Sequence, residues 1–366
     1  MVVYYGMIIT VVVLGLMAQF VNERSMLTEI ISSDGFVRYK NHYGFFYPLL
    51  FFAFVFVGGF RYYVGTDFGG YYKLYNFKWD DILIAFKELD EPGLKFVSFI
   101  ARNIWDDGVS VILLSTLIIT FLVFRGISKF DDNNLTISLL IYIFVAGWTF
   151  SFNGVRQAFA ASIIFAFARV SRNKWILKYI LICCLAFLFH KSALMMIPIL
   201  LLSHRRFDKK QIFLLISAAI IIPLFFDFAF DFMGTNTVDA DALEYIEREI
   251  NPIRVLVAFA PALLLLFVEN KEEYFEKNSF IVNMMLFHAI LTLTTMKSAY
   301  LHRFTEYTSM FLMIYYPSVF RAISSKFKSF IIIVTLFLYF LYFRYELTNG
   351  VDNVVWQWSF SHFGEF

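Results

Sequence analysis

The sequence is poor in charged residues and in cysteine, and each shortage excludes a class of protein. Charged residues make up 16% of the 366 residues, whereas a soluble domain carries roughly 25%. The shortage runs along the whole chain, which excludes a soluble globular fold. The net charge of +2 is too small to favour a nucleic-acid partner. The two cysteines, Cys183 and Cys184, are adjacent; they cannot form an ordinary disulfide, and we interpret them as core packing.

Patterns of metal ligands are also scarce. No group of histidines has the spacing of zinc ligands, and we predict neither a metal nor a cofactor. Asp239-Ala240-Asp241 has the D-x-D pattern of some divalent-ion sites. It lies in a generally acidic stretch, 227–249, so we interpret the match as accidental and the stretch as a solvated loop. A lid over a binding site is the alternative for this stretch.

Long apolar runs are abundant. The chain is 60% hydrophobic with a mean hydropathy of +0.67, and runs near 18–20 residues recur, the length that crosses ~30 Å of hydrocarbon. The runs do not alternate as β-barrel strands would. The first lacks a basic leader and a cleavage site, which predicts a retained helix. We predict an all-α polytopic membrane protein, a single integral membrane domain over 1–366, with about 12 transmembrane helices. The predicted spans are 2–21, 43–60, 109–124, 135–151, 157–170, 175–189, 192–203, 211–228, 253–268, 280–296, 304–320 and 329–343.

The distribution of Lys and Arg predicts the orientation. In membrane proteins the short cytoplasmic connections carry the excess of these residues. One alternating set of connections holds 18 of them and the opposite set 13, of which six lie in a single segment after the second span. We therefore predict that the first set is cytoplasmic. Both termini and the longer loops at about 61–108 and 229–252 then face outward.

The segment 175–203 predicts a hairpin with a recessed turn. It has 29 residues, short for two full crossings and long for one, and both of its flanks are strongly basic. Two crossings are therefore required, with the turn near His190 and Lys191 below the outer surface. Such a turn is tolerated only where it is buried in protein or lines a water-filled cavity.

A sparse group of polar residues remains at the predicted outer ends of the helices. Ionisable groups near membrane depth are costly and tend to mark function. Cations from separate turns would form an anion site, and guanidinium forks suit phosphate oxygens. Structural roles remain open for each: a helix-end position for Arg61, a turn cap for Asp67, a helix start for Arg156. The group comprises Arg61, Asp67, Asn153, Arg156, Gln157, His190, Lys191, Lys297, His302 and Arg303.

Four strings in this group resemble a known family. They are RYYVGTD at 61–67, FNGVRQAFA at 152–160, FHKSALMMIP at 189–198 and HRFTEY at 302–307. Their order, spacing and predicted outer-face placement resemble the EpsG family, bacterial exopolysaccharide polymerases of the Wzy type. The resemblance spans nearly the whole chain, and only the segment between Asp67 and Gly108, with Glu91-Pro-Gly93, aligns loosely.

The resemblance implies a chemistry and a location. Wzy-type enzymes join repeat units carried on undecaprenyl pyrophosphate at the outer face of the cytoplasmic membrane, without a metal or a nucleotide sugar. It implies a glycosyltransferase that makes exopolysaccharide, capsule or O-antigen. Its partners would be the lipid-linked glycan donor and acceptor, the lipid bilayer, and possible flippase and chain-length regulator proteins.

Physical chemistry then assigns roles as a hypothesis. Departure of the pyrophosphate develops negative charge that Arg156, Arg303 and Arg61 would stabilise. The acceptor hydroxyl needs a base, for which His190 is the first choice because its ordinary pKa is near neutrality, and Asp67 the second. We predict His190, Arg156, Arg303 and Asp67 as catalytic. We predict Arg61, Gly65, Thr66, Tyr71, Asn153, Gln157, Lys191 and Tyr307 as substrate-binding.

Other functions fit the same composition. A transporter or flippase of lipid-linked oligosaccharide would also have about twelve crossings. A carrier places its polar residues near the midplane, often with inverted repeats, whereas this group lies at the outer helix ends and no repeat is visible. A glycan ligase and a membrane O-acyltransferase using His190 are further alternatives, although no polar path below His190 would supply an acyl group.

Overall fold

The computed structural model describes most of the chain, and the chain forms two compact units. The first unit is Met1–Leu194 with Ile331–Phe366, and the second is Met195–Phe330. The single membrane domain remains a prediction, because a division into units does not test membrane insertion. Most of the predicted loop 229–252, including Asp239 and Asp241, lies outside the described residues. Those are 1–25, 30–31, 37–38, 44–130, 134–145, 147–169, 175–204, 207, 209–224, 248–324, 326–349 and 356–362.

The first unit is built from apolar helices. Helix α7 (Leu135–Phe144) is composed mostly of apolar residues, and all ten of its residues are buried, as expected for a helix in the interior. Helix α6 packs against α2, α5 and α9, while α1 packs against α2 and α7. The helix Lys328–Asn349 joins this unit from Ile331 onward. The helices are α1 Val2–Ser25, α2 Phe46–Gly59, α3 Phe68–Lys73, α4 Trp79–Glu88, α5 Pro92–Ile104, α6 Gly108–Ser128, α7 Leu135–Phe144, α8 Gly147–Asn153, α9 Val155–Phe167 and α10 Trp175–Phe187.

The predicted outer loop at 61–108 is largely helical. It contains α3, a 3-10 turn at Leu74–Asn76, α4 and α5. Local capping explains why α5 and α6 begin where they do: Pro92 occupies the first turn of α5, and the Asp107 carboxylate accepts a hydrogen bond from the Val109 N–H at 2.8 Å. The same carboxylate accepts from the Tyr72 hydroxyl at 3.0 Å, which ties α3 to the start of α6.

The strands found in the described part of the chain form two short antiparallel pairs. Strand β1 (Ile30–Ile31) pairs with β2 (Val37–Arg38), and β3 (Arg61–Tyr62) pairs with β4 (Gln357–Trp358). After β4 the Ser359 hydroxyl donates to the Arg61 carbonyl oxygen at 2.9 Å. The end of the chain therefore holds the turn that follows α2.

The second unit is also helical, and several of its buried polar groups are paired with one another. The Asn278 amide donates to the Tyr274 carbonyl oxygen at 3.1 Å, and its oxygen accepts from the Ser318 hydroxyl at 3.2 Å. The Tyr315 hydroxyl donates to the Pro261 carbonyl oxygen at 2.7 Å. Such pairing is what permits polar side chains in a helical core. The helices are Met196–Ser203, Lys209–Leu224, Pro252–Leu264, Lys271–Thr294, Ala299–His302, Thr305–Ser309 and Leu312–Ala322.

Candidate membrane-spanning helices are present among the described residues. Val2–Val21, Gly108–Ser128 and Lys328–Asn349 are long and apolar enough to cross, and the bent pair α7–α8 makes a fourth if it counts as one span. The architecture is that of an all-α membrane protein. The predicted number of about twelve transmembrane helices stays a prediction. Shorter apolar helices lie at Phe46–Gly59, Val155–Phe167, Trp175–Phe187, Lys191–Ser203 and Pro252–Phe267.

Candidate functional site

The turn after α2 is locked onto the end of α8. Gly65 has a φ of +99°, and a Cβ there would lie 2.7 Å from Asn153 Oδ1 and 2.9 Å from the Phe152 carbonyl oxygen. Glycine alone permits both the conformation and the approach. The Thr66 N–H donates to Asn153 Oδ1 at 2.6 Å. The motif strings at 61–67 and 152–160 are thus joined by direct contact.

A second turn, between α4 and α5, is pressed against the residues before His190. Glu91 has a φ of +45°, a conformation that is strained for residues other than glycine and is concentrated at functional sites. The Gly93 N–H donates to the Leu188 carbonyl oxygen at 2.8 Å. A Cβ on Gly93 would lie 2.9 Å from the same oxygen, so the approach requires glycine. This turn brings the Glu91 carboxylate beside His190.

The Glu91 carboxylate joins two of the predicted catalytic residues. Its Oε2 accepts from an Arg156 Nη1 at 2.6 Å, and its Oε1 lies 2.7 Å from His190 Nδ1. The same Oε1 accepts from the Lys191 N–H at 3.0 Å. The Glu91 side chain is 8% exposed, compared with 50% for Arg156 and 29% for His190. A buried carboxylate therefore ties together an arginine and a histidine whose side chains are both partly exposed.

The charge of Glu91 is set by these partners. Burial by itself raises the pKa of the Glu91 carboxyl, but hydrogen bonding and charge from His190, the Lys191 N–H and Arg156 outweigh it and lower the pKa to about 2. Glu91 is therefore ionised at neutral pH and only accepts hydrogen bonds. It follows that His190 carries a proton on Nδ1. Among the described residues, His190 Nε2 has no protein partner.

An open cavity of about 540 Å³ lies next to this cluster. Asp67 is exposed on its wall, and both Glu91 and Arg156 contribute to it. The size suits a small polar ligand or part of a larger one. The lining residues are Asp67, Gly70, Tyr71, Leu74, Asp90, Glu91, Leu94, Lys95 and Arg156.

Tyr71 lies among the charged groups of the cavity. Burial and the Asp67 carboxylate raise the pKa of the Tyr71 phenol, although Arg156 and the Val155 backbone act in the opposite direction. Tyr71 therefore remains a neutral phenol at neutral pH. Its hydroxyl lies beside the Arg156 guanidinium.

The rim of the cavity carries further ion pairs. Lys95 Nζ lies 3.0 Å from Asp90 Oδ2, and Lys191 Nζ lies 3.7 Å from Asp90 Oδ1. The Asp90 and Lys191 side chains are more than half exposed, so these pairs add little stability. They do place two ammonium groups near the cluster at Glu91.

Arg61 and Gln157 lie in the protein interior. Arg61 is 1% exposed and Gln157 4%. The Arg61 guanidinium lies 4.6 Å from the centre of the Phe152 ring and donates to the Gly58 carbonyl oxygen. In this structure Arg61 therefore does not reach the open cavity, and its predicted contact with substrate remains a prediction.

Arg303 and Tyr307 belong to the second unit. Arg303 is exposed and lies between the short helices Ala299–His302 and Thr305–Ser309, close to the helix-start position expected from sequence. Tyr307 is fully buried. Their predicted roles remain predictions.

Sequence reasoning missed Glu91. Its segment aligned only loosely with the family, and a single acidic residue in a predicted loop carries no motif. A signal was available in the string Glu91-Pro-Gly93, because an acid immediately before Pro-Gly at the start of an amphipathic helix marks a tight, specified turn. The partners of that acid lie 65 and 99 residues away, and no local pattern identifies them.

The fold and the site define a class of protein: an all-α membrane protein with a charged, solvent-open cavity for a polar ligand. More particularly, the chain belongs to the EpsG family, whose model matches residues 44–358. EpsG is a Wzy-type polymerase-like family, and membership assigns the chain to exopolysaccharide biosynthesis as a glycosyltransferase-like polymerase. No curated protein and no solved structure matches the chain.

Proposed function

We propose that this protein is a metal-independent polymerase that joins oligosaccharide repeat units carried on undecaprenyl pyrophosphate, at the outer face of a bacterial cytoplasmic membrane. The observation that supports it most directly is the Glu91 carboxylate, which links Arg156 to His190 beside the cavity. Glycosyl transfer from a diphosphate requires a cation for the leaving group and a base for the acceptor. These residues supply one of each.

The donor is held through its diphosphate. One nitrogen of Arg156 is used on Glu91, while the side chain is half exposed, which leaves further N–H groups for phosphate oxygens. The bond between the anomeric carbon and the bridging oxygen breaks, and its electron pair stays on the diphosphate. A fixed guanidinium stabilises this developing charge, and we assign Arg303 a similar role.

The acceptor is activated by His190. A sugar hydroxyl forms the new bond to the anomeric carbon, and its proton passes to His190 Nε2. Glu91 holds the Nδ1–H and so fixes the tautomer that leaves Nε2 as the base, the logic of a carboxylate–histidine pair in hydrolases. Asp67, which lines the cavity, orients the acceptor hydroxyl.

The remaining residues position the substrate or the turns that hold it. Gly65, Thr66 and Asn153 fix the turn that carries Asp67. Tyr71 offers a ring face to a sugar, and Lys191 an ammonium at the rim. Gln157 is buried and would support the substrate site from within, and for Tyr307 we keep substrate binding as a proposed role.

Two substitutions test these roles directly. We expect Arg156→Ala and His190→Ala to abolish long-chain polysaccharide at wild-type expression. Arg102→Ala is the matched control, because Arg102 is partly exposed, pairs with Asp106 at 3.6 Å and does not line the cavity. Long-chain product from both site variants would contradict the assignment.

Activity should also persist in EDTA, and its loss would contradict metal independence.

The lipid-linked intermediates distinguish a polymerase from a flippase. In a deletion strain we expect single repeat units on undecaprenyl pyrophosphate to accumulate outside the membrane. Accumulation only on the cytoplasmic side would contradict a polymerase and support a flippase.

A further inference from the structure

Arg61 is a buried cation whose charge has no counter-ion in the described part of the chain. Its side chain is 1% exposed, and it donates to the Gly58 carbonyl oxygen and to Thr116 Oγ1, the latter at 3.3 Å. None of the ion pairs formed by the described residues includes Arg61, and its Nε has no hydrogen-bond partner there. A buried charge is ordinarily paired and fully hydrogen-bonded. Among the described residues, the Arg61 guanidinium therefore lacks both a counter-ion and a partner for Nε, and an anion would supply them.

A narrow space, which we call the Arg61 chamber, is lined in part by Arg61. Ser115, Thr116 and Ser151 contribute to its lining, and Ser115 Oγ, like Arg61 Nε, has no partner among the described residues. The chamber has no room for a water molecule as it stands. A ligand with acceptor oxygens would satisfy the unpaired donors, Arg61 Nε and Ser115 Oγ. The chamber is lined by Arg61, Tyr71, Leu94, Val111, Ile112, Ser115, Thr116, Ile119, Ser151 and Val155.

The chamber and the open cavity share a wall. Tyr71 and Leu94 line both spaces, so these two side chains border the chamber and the cavity alike. The Tyr71 hydroxyl lies beside the Arg156 guanidinium. An anion that binds Arg156 from the cavity competes with this hydroxyl for the same N–H groups.

We infer that Arg61 is a second ligand for the diphosphate, kept behind Tyr71 until an anion on Arg156 displaces the phenol. Movement of Tyr71 joins the chamber to the cavity and gives the two phosphoryl groups one guanidinium each, the fork geometry that phosphate oxygens accept best. The inference deepens the proposed function, on which it rests for the identity of the diphosphate.

Thiol labelling tests the shared wall. We would place Ser115→Cys in the purified full-length protein with Cys183→Ser and Cys184→Ser, and measure its modification by an anionic methanethiosulfonate reagent. Tyr71→Ala is expected to speed labelling at least about ten-fold, because the reagent then meets an open chamber. Tyr75→Ala, the aromatic control that lines neither space, should leave the rate unchanged. Equal rates with Tyr71 and Tyr71→Ala would overturn the inference.

Binding of inorganic pyrophosphate tests the cation. We expect Arg61→Gln to weaken binding about ten-fold, the usual effect of losing a charge-assisted hydrogen bond, and Arg61→Lys to weaken it less. Arg102→Gln should bind like wild type. Wild-type affinity in a folded Arg61→Gln variant would overturn the inference. If Arg61→Gln fails to fold, Arg61→Lys takes its place. The inference is then overturned if Arg61→Lys binds pyrophosphate as tightly as wild type and Tyr71→Ala leaves the labelling rate unchanged.

Neither measurement requires polymerisation. Tyr71-dependent labelling and Arg61-dependent pyrophosphate binding in a protein that makes no polymer would support the anion site and contradict the proposed function. A working polymerase without either effect would support the function and overturn the anion site.

Discussion

At the residue scale the site depends on one carboxylate that serves two partners. Glu91 neutralises Arg156 and orients His190, so its loss changes both. We expect Glu91→Gln and Arg156→Gln each to lower the polymerisation rate roughly ten-fold or more, because each leaves a charged partner unpaired. The double variant should lose less than the product of the two effects, since part of each loss comes from breaking the same ion pair. The rate at which each variant consumes the lipid-linked substrate is the measurement for this double-mutant cycle.

The control for this cycle is Glu88→Gln. Glu88 is exposed at the end of α4 and is not among the cavity residues, so wild-type rates are expected. Fully multiplicative losses in the double variant would show that Glu91 and Arg156 act independently, against the arrangement described above.

The same carboxylate makes stability depend on pH. The pKa of Glu91 is lowered from 4.5 to about 2 in the folded protein. A lowered folded-state pKa stabilises the fold fully above the unfolded value, and the stabilisation is lost as the pH falls from 4.5 toward 2. We expect wild type to unfold at a higher temperature than Glu91→Gln at pH 6, with the difference shrinking below pH 4.5. A constant difference across this range would contradict the assignment.

The sequence alone indicates which ionisable residues are candidates for the site, but not how buried they are or which residues they contact. Arg156, His190 and Asp67 could be selected as candidates because ionisable groups at helix ends in a membrane protein are seldom structural; their catalytic roles remain a prediction. The burial of Arg61 could not be predicted, because an arginine at a helix end can equally well face the solvent. Its position depends on Phe152 and Thr116, which are distant in the sequence.

At the element scale the turn at Gly65 determines where Asp67 lies. We expect Gly65→Ala to destabilise the protein by about 1–3 kcal/mol, the range for strained backbone, and to reduce activity, because a Cβ would collide with Asn153 Oδ1. Thermal unfolding in detergent and polymer yield are the measurements. Gly6→Ala is the control, since a Cβ there meets nothing within 4 Å. Wild-type stability and yield in Gly65→Ala would contradict this role for the turn.

The elements were predictable where hydrophobicity alone decides them. The break after α10 was expected from the length of 175–203, and α10 ends at Phe187 with a turn before His190. The helices α3 to α5 were not, because an amphipathic segment between spans resembles a loop when only apolar length is considered. The pairing of β3 with β4 joins residues about 300 apart, beyond any local pattern.

At the scale of the whole molecule, composition identifies a membrane protein but not its division into units. The second unit interrupts the first between Leu194 and Ile331, and neither boundary coincides with a change in composition. The length of an apolar run does not show which unit a helix belongs to, since the helices of both units contain the same residue types. Long-range packing decides which helices belong together.

Orientation is the whole-molecule property on which the proposed site depends, because the donor and acceptor would meet outside the cytoplasmic membrane. The excess of Lys and Arg predicts that 61–108 faces outward and that the connection holding Lys271 faces inward. Asp80 and Glu273 are exposed in these two segments. In spheroplasts of a strain carrying Cys183→Ser and Cys184→Ser, we expect Asp80→Cys to react with an impermeant maleimide and Glu273→Cys to react only after lysis. The reverse pattern would put the cavity at Asp67 and Glu91 on the cytoplasmic side, where a polymerase of this kind would not find its substrates.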